Sequence, residues 1–278
     1  MQYSINVRGR LLSLEKPVVM GILNLTPDSF YDGGQHSSMT TALERAEKML
    51  RDGATILDIG AQSTRPGAER ISADDELKRL IPALRAITKE FPDAAVSVDT
   101  FYSAVASEAV AHGAAIINDV SAGNMDKNMF ETVAKLKVPY VLMHMQGEPQ
   151  TMQKNPVYED VMAEIILFFS EKINHLRSLG VNDLILDPGF GFGKTQEHNY
   201  QILRCLKQLH LFELPILAGL SRKKMIQRVL DTDAAGSLNG TTAANMLALA
   251  NGAKIIRVHD VREATEACKI YEACFGVE

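Results

Sequence analysis

The sequence lacks the features of a membrane-spanning or secreted protein. No stretch approaches the roughly 20 consecutive apolar residues that a transmembrane helix needs. The amino-terminal segment carries charged side chains at Arg8, Arg10 and Glu15, where a signal peptide would be apolar. We therefore expect a cytoplasmic protein.

Cysteine and excess basic charge are also scarce. Cys205, Cys268 and Cys274 form no C-x-x-C motif, so we expect structural thiols rather than a disulfide framework or a thiolate metal site. The 29 Lys and Arg residues against 34 Asp and Glu give a net charge of -5, without the basic excess that nonspecific nucleic-acid binding needs. Small molecules are the more plausible partners.

What is present is the composition of an ordinary globular chain. It is 46% hydrophobic and 23% charged, which suffices to bury a full core. The length of 278 residues fits one large domain or two small ones.

Short, nearly continuous apolar runs recur along the chain, as is typical of parallel strands covered on both faces. They predict eight strands, at 18–23, 55–59, 95–98, 115–118, 139–143, 183–186, 215–218 and 254–258.

Stretches with helical spacing separate most of these runs. In one of them Ser72 and Asp75 resemble a capping box, and the helix that follows should end near Lys89. The other predicted helices are at 39–51, 101–112, 127–136, 158–179, 197–209, 222–230 and 240–251.

The repeated strand–helix alternation indicates an α/β fold. Because no linker or shift in composition divides the chain, we predict one (β/α)8 TIM barrel over residues 1–278 rather than two doubly wound domains. Before the first barrel strand, alternation around Arg8 and Gly9 predicts a β-hairpin that plugs one end.

Polar residues follow most of the predicted strands, and in such a barrel the strands' carboxyl ends form the active site. Asp99, Asn118 and Asp187 would offer acceptors and an amide to a flat ring with several N–H groups. A lone Asp after a strand is more often a turn or cap residue, but convergence on one rim weakens that alternative. We expect Asp58, set among apolar residues, to support the site rather than bind ligand.

A second set of strand-end residues suits an anion. Arg257 and His259 are two apart on the last strand and should project to one side. Ser221 and the adjacent amides would begin a helix, with Lys223 nearby. The alternatives are that RVHD is a loop ion-pair cluster with Asp260 and Arg262, and that Lys223 is solvated.

The segment DPGFGFGKT invites comparison with a phosphate loop, but the comparison fails. The Walker pattern needs glycine where Pro188 stands, and the dinucleotide pattern needs glycine where Lys194 stands. We instead expect a glycine-rich loop in close backbone approach beside Asp187, with Phe190 or Phe192 available to line a ring.

Two long polar connections, at 24–38 and 61–71, have the composition of lids. Asn24, Asp28 and Asp32 could supply oxygen ligands to Mg²⁺ bridging a diphosphate. Plain solvated loops are the alternative interpretation.

Taken in order, the segments NLTPDSFYDGG, QSTRPG, SVDT, IND, LDPGFGFGKT, GLSRK and RVHD resemble the signature set of the dihydropteroate synthase family. The resemblance covers nearly the whole chain and is specific as a set. It implies a TIM-barrel transferase of folate biosynthesis, usually a homodimer and a sulfonamide target. Such an enzyme joins 6-hydroxymethyl-7,8-dihydropterin diphosphate to p-aminobenzoate.

The resemblance also implies residue roles. The pterin side comprises Asp99, Asn118, Asp187 and Lys223, with Met143, Phe192 and Gly219 around the ring. The diphosphate side comprises Asn24, Arg257 and His259, and the aminobenzoate side comprises Thr64, Arg65, Pro66 and Ser221. Phe30 and Asp32 lie in the first loop, and Asn24 with Asp32 would hold Mg²⁺. Gln62 and Lys224 depart from the family pattern, which often has glutamate and a small residue there.

Two rival functions remain open. A pterin-binding methyltransferase would keep the acceptors but has no diphosphate to hold, and a catalytically silent relative would be expected to lose a phosphate contact or lid residue. The cationic residues Arg257, His259 and Lys223 and the first loop, with its DSF sequence at 28–30, argue against both rival functions. For the synthase we expect the C–O bond to break before the amine attacks, without a protein nucleophile.

Overall fold

The structure is a computed structural model that describes residues 3–25, 35–62, 70–147, 152 and 156–276. Its eight central strands run parallel. A two-stranded antiparallel hairpin precedes them. The strands are β1 (Ser4–Val7), β2 (Arg10–Ser13), β3 (Val18–Asn24), β4 (Ile56–Gly60), β5 (Ala95–Asp99), β6 (Ile116–Asp119), β7 (Tyr140–Met143), β8 (Leu184–Asp187), β9 (Leu217–Ala218) and β10 (Ile255–Val258).

Helices follow the barrel strands. They are α1 (Gln35–Arg51), α2 (Ala73–Glu90), α3 (Ser103–Ala111), α4 (Met129–Leu136), α5 (Val161–Ser178), α6 (Gln196–Cys205), α7 (Lys224–Leu230), α8 (Leu238–Ala250) and α9 (Val261–Phe275). A 3-10 turn, Leu206–Phe212, extends α6. Within the described ranges, no helix is long and apolar enough to cross a membrane.

The strands close into a barrel. The sheet order is β8-β7-β6-β5-β4-β3-β10-β9, and a parallel bridge between Leu186 and Ile216 joins its two edges. The barrel strands are buried along almost their whole length because helices cover one face and the barrel interior the other. This confirms the predicted (β/α)8 architecture.

The amino-terminal hairpin forms as predicted, with Arg8 at φ 52° and Gly9 at φ 83° in its turn. Its inner side chains Ile5 and Val7, with Leu14, pack in one apolar cluster with residues from the amino ends of the barrel strands. The hairpin therefore fills the end of the barrel opposite the predicted site.

Two sequence-based details differ from the structure. The helix α9 was not predicted. Ser72 caps α2 by accepting from the Asp75 N–H at 3.2 Å, but its hydroxyl donates to the Asp75 carboxylate at 2.7 Å. Because that carboxylate is engaged by the hydroxyl, the reciprocal half of a capping box is not seen.

Candidate active site

Arg257 lies at the centre of a charged cluster inside the carboxyl end of the barrel. Its Nε donates to Asp58 Oδ2 at 2.6 Å, and its Nη2 donates to Asp99 Oδ2 at 2.8 Å. The Arg257 side chain is 21% exposed, whereas Asp58 is fully buried. Two carboxylates from neighbouring strands therefore hold one guanidinium at the rim.

Asp58 supports the site, as the sequence suggested. The same Oδ2 atom accepts from Asn118 Nδ2 at 3.0 Å, so Asp58 orients both the Asn118 amide and the Arg257 guanidinium. Its complete burial leaves it no access to a ligand. The amide oxygen of Asn118 is left as the group that can face a substrate.

The protonation of Asp99 is finely balanced. Burial raises its pKa to about 7, and the neighbouring Asp58 adds to this, while the positive charge of Arg257 lowers it. Asp99 can therefore act as a charged acceptor or as a neutral carboxyl near neutral pH, depending on what binds beside it.

Asp187 ends β8 and lies on the same rim. Its Oδ1 accepts from the Gly189 N–H at 2.7 Å, which fixes the carboxyl plane. Burial raises its pKa, and the charge of Lys223 is the largest opposing influence. Asp99, Asn118 and Asp187 therefore come together as predicted.

Lys223 crosses over the glycine-rich loop. Its Nζ hydrogen-bonds the Phe190 carbonyl and lies 4.6 Å from the centroid of the Phe192 ring. Burial lowers the pKa of Lys223 to about 8, while Asp187 raises it. Lys223 is part-buried against this loop rather than solvated, which decides between the two readings of this lysine.

The two phenylalanines of the loop have different places. Phe190 is fully buried in the main core, whereas Phe192 belongs to an apolar cluster at the rim with Phe101, Val120 and Met143. A Cβ built on Gly219 would meet no heavy atom within 4 Å, so that position opens onto free space. Phe192 and Met143 are thus the side chains available to a flat ring.

Ser221 and His259 form a second pair, 3.0 Å apart between Oγ and Nδ1. The predicted anion site on the amides beside Ser221 is not supported, since the N–H of Arg222 donates to Thr241 and that of Lys223 to Leu220. The helix α7 also has only seven residues. Side chains rather than backbone amides are left to bind an anion there.

Arg222 links the segments that follow β9 and β10. It adopts φ 56° and makes two hydrogen bonds to Asp260, of 2.9 and 2.6 Å. The bidentate contact joins the segment after β9 to the end of β10. The alternative of a local ion-pair cluster within RVHD is not seen, because Asp260 pairs with Arg222, Arg262 pairs with Glu266, and Arg257 faces Asp58 and Asp99.

Two other strand-end residues have distinct roles. Asn24 is half-buried at the end of β3, and a Cβ on Gly60 would lie 3.8 Å from its Oδ1 and 3.4 Å from the Asp99 Cβ. Asn24 and Asp99 therefore both border the position of Gly60. Asp119 accepts from Ser121 and from the Tyr140 hydroxyl at 2.7 Å, and so holds the chain after β6.

Several predicted site residues lie outside the described residues. These are Phe30 and Asp32 of the first loop, Asp28 beside them, and Thr64, Arg65 and Pro66 of the second. No group of three or more His, Cys, Asp or Glu residues suited to a metal occurs in the described ranges.

The residues on either side of the second loop make specific contacts. Gln62 is buried, and its Oε1 accepts from the Ile71 N–H at 3.2 Å. Arg70 lies 4.7 Å from the Phe101 ring centroid and 4.9 Å from that of Tyr102, to whose hydroxyl it donates at 2.8 Å. The aromatic pair after β5 gave no signal of this role in the sequence.

Comparison with known proteins shows which family has this site. A family model described as pterin binding enzyme matches residues 20–259. The chain is 46% identical to dihydropteroate synthase of Escherichia coli K12 over 273 residues, covering 98% of this chain and 96% of that protein.

Solved structures agree with the sequence comparison. A Yersinia pestis dihydropteroate synthase in complex with a sulfonamide drug superposes with a TM-score of 0.92 at 46% identity, covering 99% of both chains. The Xanthomonas albilineans dihydropteroate synthase with 4-aminobenzoic acid gives 0.93 at 40% identity, covering 100% of both chains. With acceptors, cations and an aromatic wall gathered on one barrel rim, this chain belongs to the dihydropteroate synthase family of pterin-binding enzymes.

Proposed function

We propose that this site joins the methylene carbon of 6-hydroxymethyl-7,8-dihydropterin diphosphate to the amine of p-aminobenzoate, releasing diphosphate and 7,8-dihydropteroate. The observation that supports this most is the Arg257 guanidinium at the rim, within hydrogen-bond distance of Asp99 and beside Lys223 and Asp187. The side chains that would accept hydrogen bonds from the ring and the cations that would bind the phosphates lie on one continuous surface. A pterin that carries a diphosphate requires such a surface.

The protein would recognise the pterin ring through hydrogen bonds from the ring N–H groups. Asp187 and Asp99 accept from them, and the Asn118 amide, oriented by Asp58, provides a neutral partner. Phe192 and Met143 supply apolar contact with the ring face, and Gly219 leaves room for it. This arrangement favours a flat, donor-rich heterocycle.

The diphosphate would lie between Arg257, His259 and Asn24. Carboxylate and amide oxygens are the ligands that Mg²⁺ prefers, and the half-buried Asn24 at the end of β3 fits that chemistry, with Asp32 as its proposed partner. When bound, Mg²⁺ supplies charge stabilisation to the leaving diphosphate.

The residues of this chain favour bond breaking before bond making. As the C–O bond lengthens, Arg257 and His259 stabilise negative charge on the diphosphate. Asp99 and Asp187 stabilise the positive charge that the dihydropterin ring then shares. Of the described cysteines, Cys268 is buried with a raised pKa and lies in α9, so covalent catalysis by a thiol is not proposed.

The second substrate would enter over the pterin. We assign its side of the site to Ser221 with Thr64, Arg65 and Pro66, and we propose that Phe30 also contacts substrate. Sulfonamides, which resemble p-aminobenzoate, would compete there.

A second copy of this chain is the proposed protein partner, and the cytoplasm the proposed location. Large apolar side chains are exposed on α7 and α8, with Val229 at 58%, Leu230 at 47% and Leu247 at 54%. These helices contact each other, so the side chains offer a surface that a homodimer would cover.

An assay of diphosphate release tests this function and its rivals. The synthase should release diphosphate much faster when p-aminobenzoate is supplied with the pterin diphosphate, because the amine traps the carbon that the diphosphate has left. A methyltransferase or a silent relative would release none in either condition, and that result would overturn the proposal. Omitting Mg²⁺ should abolish turnover.

A further inference from the structure

Lys194 is a buried cation that the proposed chemistry does not use. It is 3% exposed, and its Nζ lies 2.9 Å from the Gly189 carbonyl, 3.0 Å from that of Phe192 and 3.2 Å from that of His144. The Nδ1 atom of His144 is a fourth contact, at 3.0 Å. Burying an ammonium is costly, so these partners must compensate for its lost hydration.

The contacts join the segments that follow two neighbouring strands, β7 and β8. The backbones touch: a Cβ on Gly189 would lie 2.0 Å from the His144 carbonyl oxygen, and one on Gly193 2.3 Å from that of Gln146. Such close approach brings carbonyl dipoles together, which is unfavourable without a cation between them. Lys194 supplies that cation.

The three carbonyl contacts favour the protonated form. Three carbonyl oxygens can only accept, so they need three N–H groups, which an ammonium has and a neutral amine does not. Burial and the charge of Lys194 together lower the pKa of His144 to about 2, so His144 is neutral. Burial lowers the pKa of Lys194 well below its usual value and the charge of Lys223 adds to this, while the Asp187 carboxylate and the three carbonyl oxygens oppose the shift.

We infer that Lys194 is a positioning residue that sets the Asp187 carboxyl and the Phe192 ring for the pterin. Gly189 connects the two groups, since its carbonyl accepts from Lys194 while its N–H donates to Asp187 at 2.7 Å. The Phe192 carbonyl is held by the same ammonium, and its ring packs under Lys223. This inference rests on the proposed pterin site.

The test is Lys194→Met, which removes the ammonium but keeps an unbranched side chain. We expect affinity for an unphosphorylated pterin, measured by calorimetry, to fall about 10- to 100-fold. KM for the pterin diphosphate should rise similarly, while KM for p-aminobenzoate changes less than about twofold, a split that general loosening of the fold would not produce. Lys207→Met, at an exposed position, is the matched control.

Amine rescue supplies a second readout. Methylammonium or ethylammonium should restore pterin affinity to Lys194→Ala, whereas tetramethylammonium, which has no N–H, should not. If Lys194→Met does not fold, Lys194→Gln and the rescue of Lys194→Ala decide the question. Pterin affinity within threefold of wild type in a folded variant would overturn the inference. A wild-type protein that bound no pterin would instead overturn the proposed function.

Discussion

Nη2 of Arg257 and Oδ2 of Asp99 lie 2.8 Å apart, so a cation assigned to the diphosphate is hydrogen-bonded to a carboxylate assigned to the pterin. The two half-sites are therefore not electrically independent. From the sequence alone one would expect Arg257→Ala to spare the binding of an unphosphorylated pterin. The ion pairs with Asp58 and Asp99 change that expectation.

Arg257→Ala should weaken the binding of both unphosphorylated pterin and the pterin diphosphate. Removing the guanidinium leaves two buried carboxylates without their counter-charge, which further raises the pKa of Asp99. Breaking such a buried ion pair destabilises the folded site by about 3–5 kcal/mol. Calorimetry should show at least a tenfold loss for unphosphorylated pterin as well as for its diphosphate. An undiminished pterin affinity would show that the ion pair does not shape the ring site.

His259→Ala should weaken the binding of the pterin diphosphate selectively. His259 is exposed and contacts Ser221 rather than the ring acceptors. We expect affinity for the pterin diphosphate to fall by about 1–2 kcal/mol, the value of a hydrogen bond to a charged group, with unphosphorylated pterin unaffected. Equal losses for both ligands would place His259 in the ring pocket instead.

Asp187→Asn should impair pterin binding severely. Its Oδ1 is already held by the Gly189 N–H, so the new amide nitrogen would face the ring N–H groups and leave donors unpaired. The cost should be about 2–4 kcal/mol in calorimetric affinity. Asp74→Asn, at an exposed position on α2, is the control. An affinity within threefold of wild type would contradict the assignment.

p-Aminobenzoate and sulfonamides should bind after the pterin. The segment that carries Thr64, Arg65 and Pro66 has the polar composition of a lid, and fixing the backbone of one residue against a ligand costs about 1–2 kcal/mol. A small ligand cannot supply this alone, so bound diphosphate should raise p-aminobenzoate affinity at least tenfold. Titration with and without pterin, Mg²⁺ and diphosphate measures this, and equal affinities would indicate a preformed site.

Glu76→Gln should stabilise the protein at high pH. Glu76 is fully buried in α2, and no hydrogen bond reaches its carboxyl oxygens within the described structure, although Thr100 and Arg70 lie near enough to lower its pKa in part. Burial nevertheless raises the pKa from 4.5 to about 7. The folded state therefore binds more protons than the unfolded chain between these values, and stability falls as pH rises through them.

The variant should gain up to about 3 kcal/mol in free energy of unfolding at pH 8 and little at pH 4. Urea denaturation at both pH values measures this. Glu90→Gln, exposed on the same helix, should show no such difference. Parallel pH profiles for wild type and Glu76→Gln would contradict the prediction.

Periodicity and strand-end position were enough to predict the barrel, because buried parallel strands and their polar carboxyl ends are local patterns. Asp99, Asn118 and Asp187 could be found that way. The choice between Phe190 and Phe192 could not, since both have the same local context and only packing separates them. Nor could the roles of Arg70 and Lys194 be predicted, because Arg70 contacts Phe101 and Tyr102 after another strand and Lys194 contacts His144 after another strand. The burial of Glu76 likewise depends on packing that no local pattern shows.

Pairing of β3 with β10 brings the two ends of the chain together, with Val18 opposite Ile255. During synthesis on a ribosome, Asp58 and Asp99 emerge long before Arg257, the cation that neutralises them. Until the last strand has left the exit tunnel, the barrel interior lacks the guanidinium that pairs with these carboxylates. Closure of the barrel and pairing of Asp58 and Asp99 with Arg257 are then a single late event.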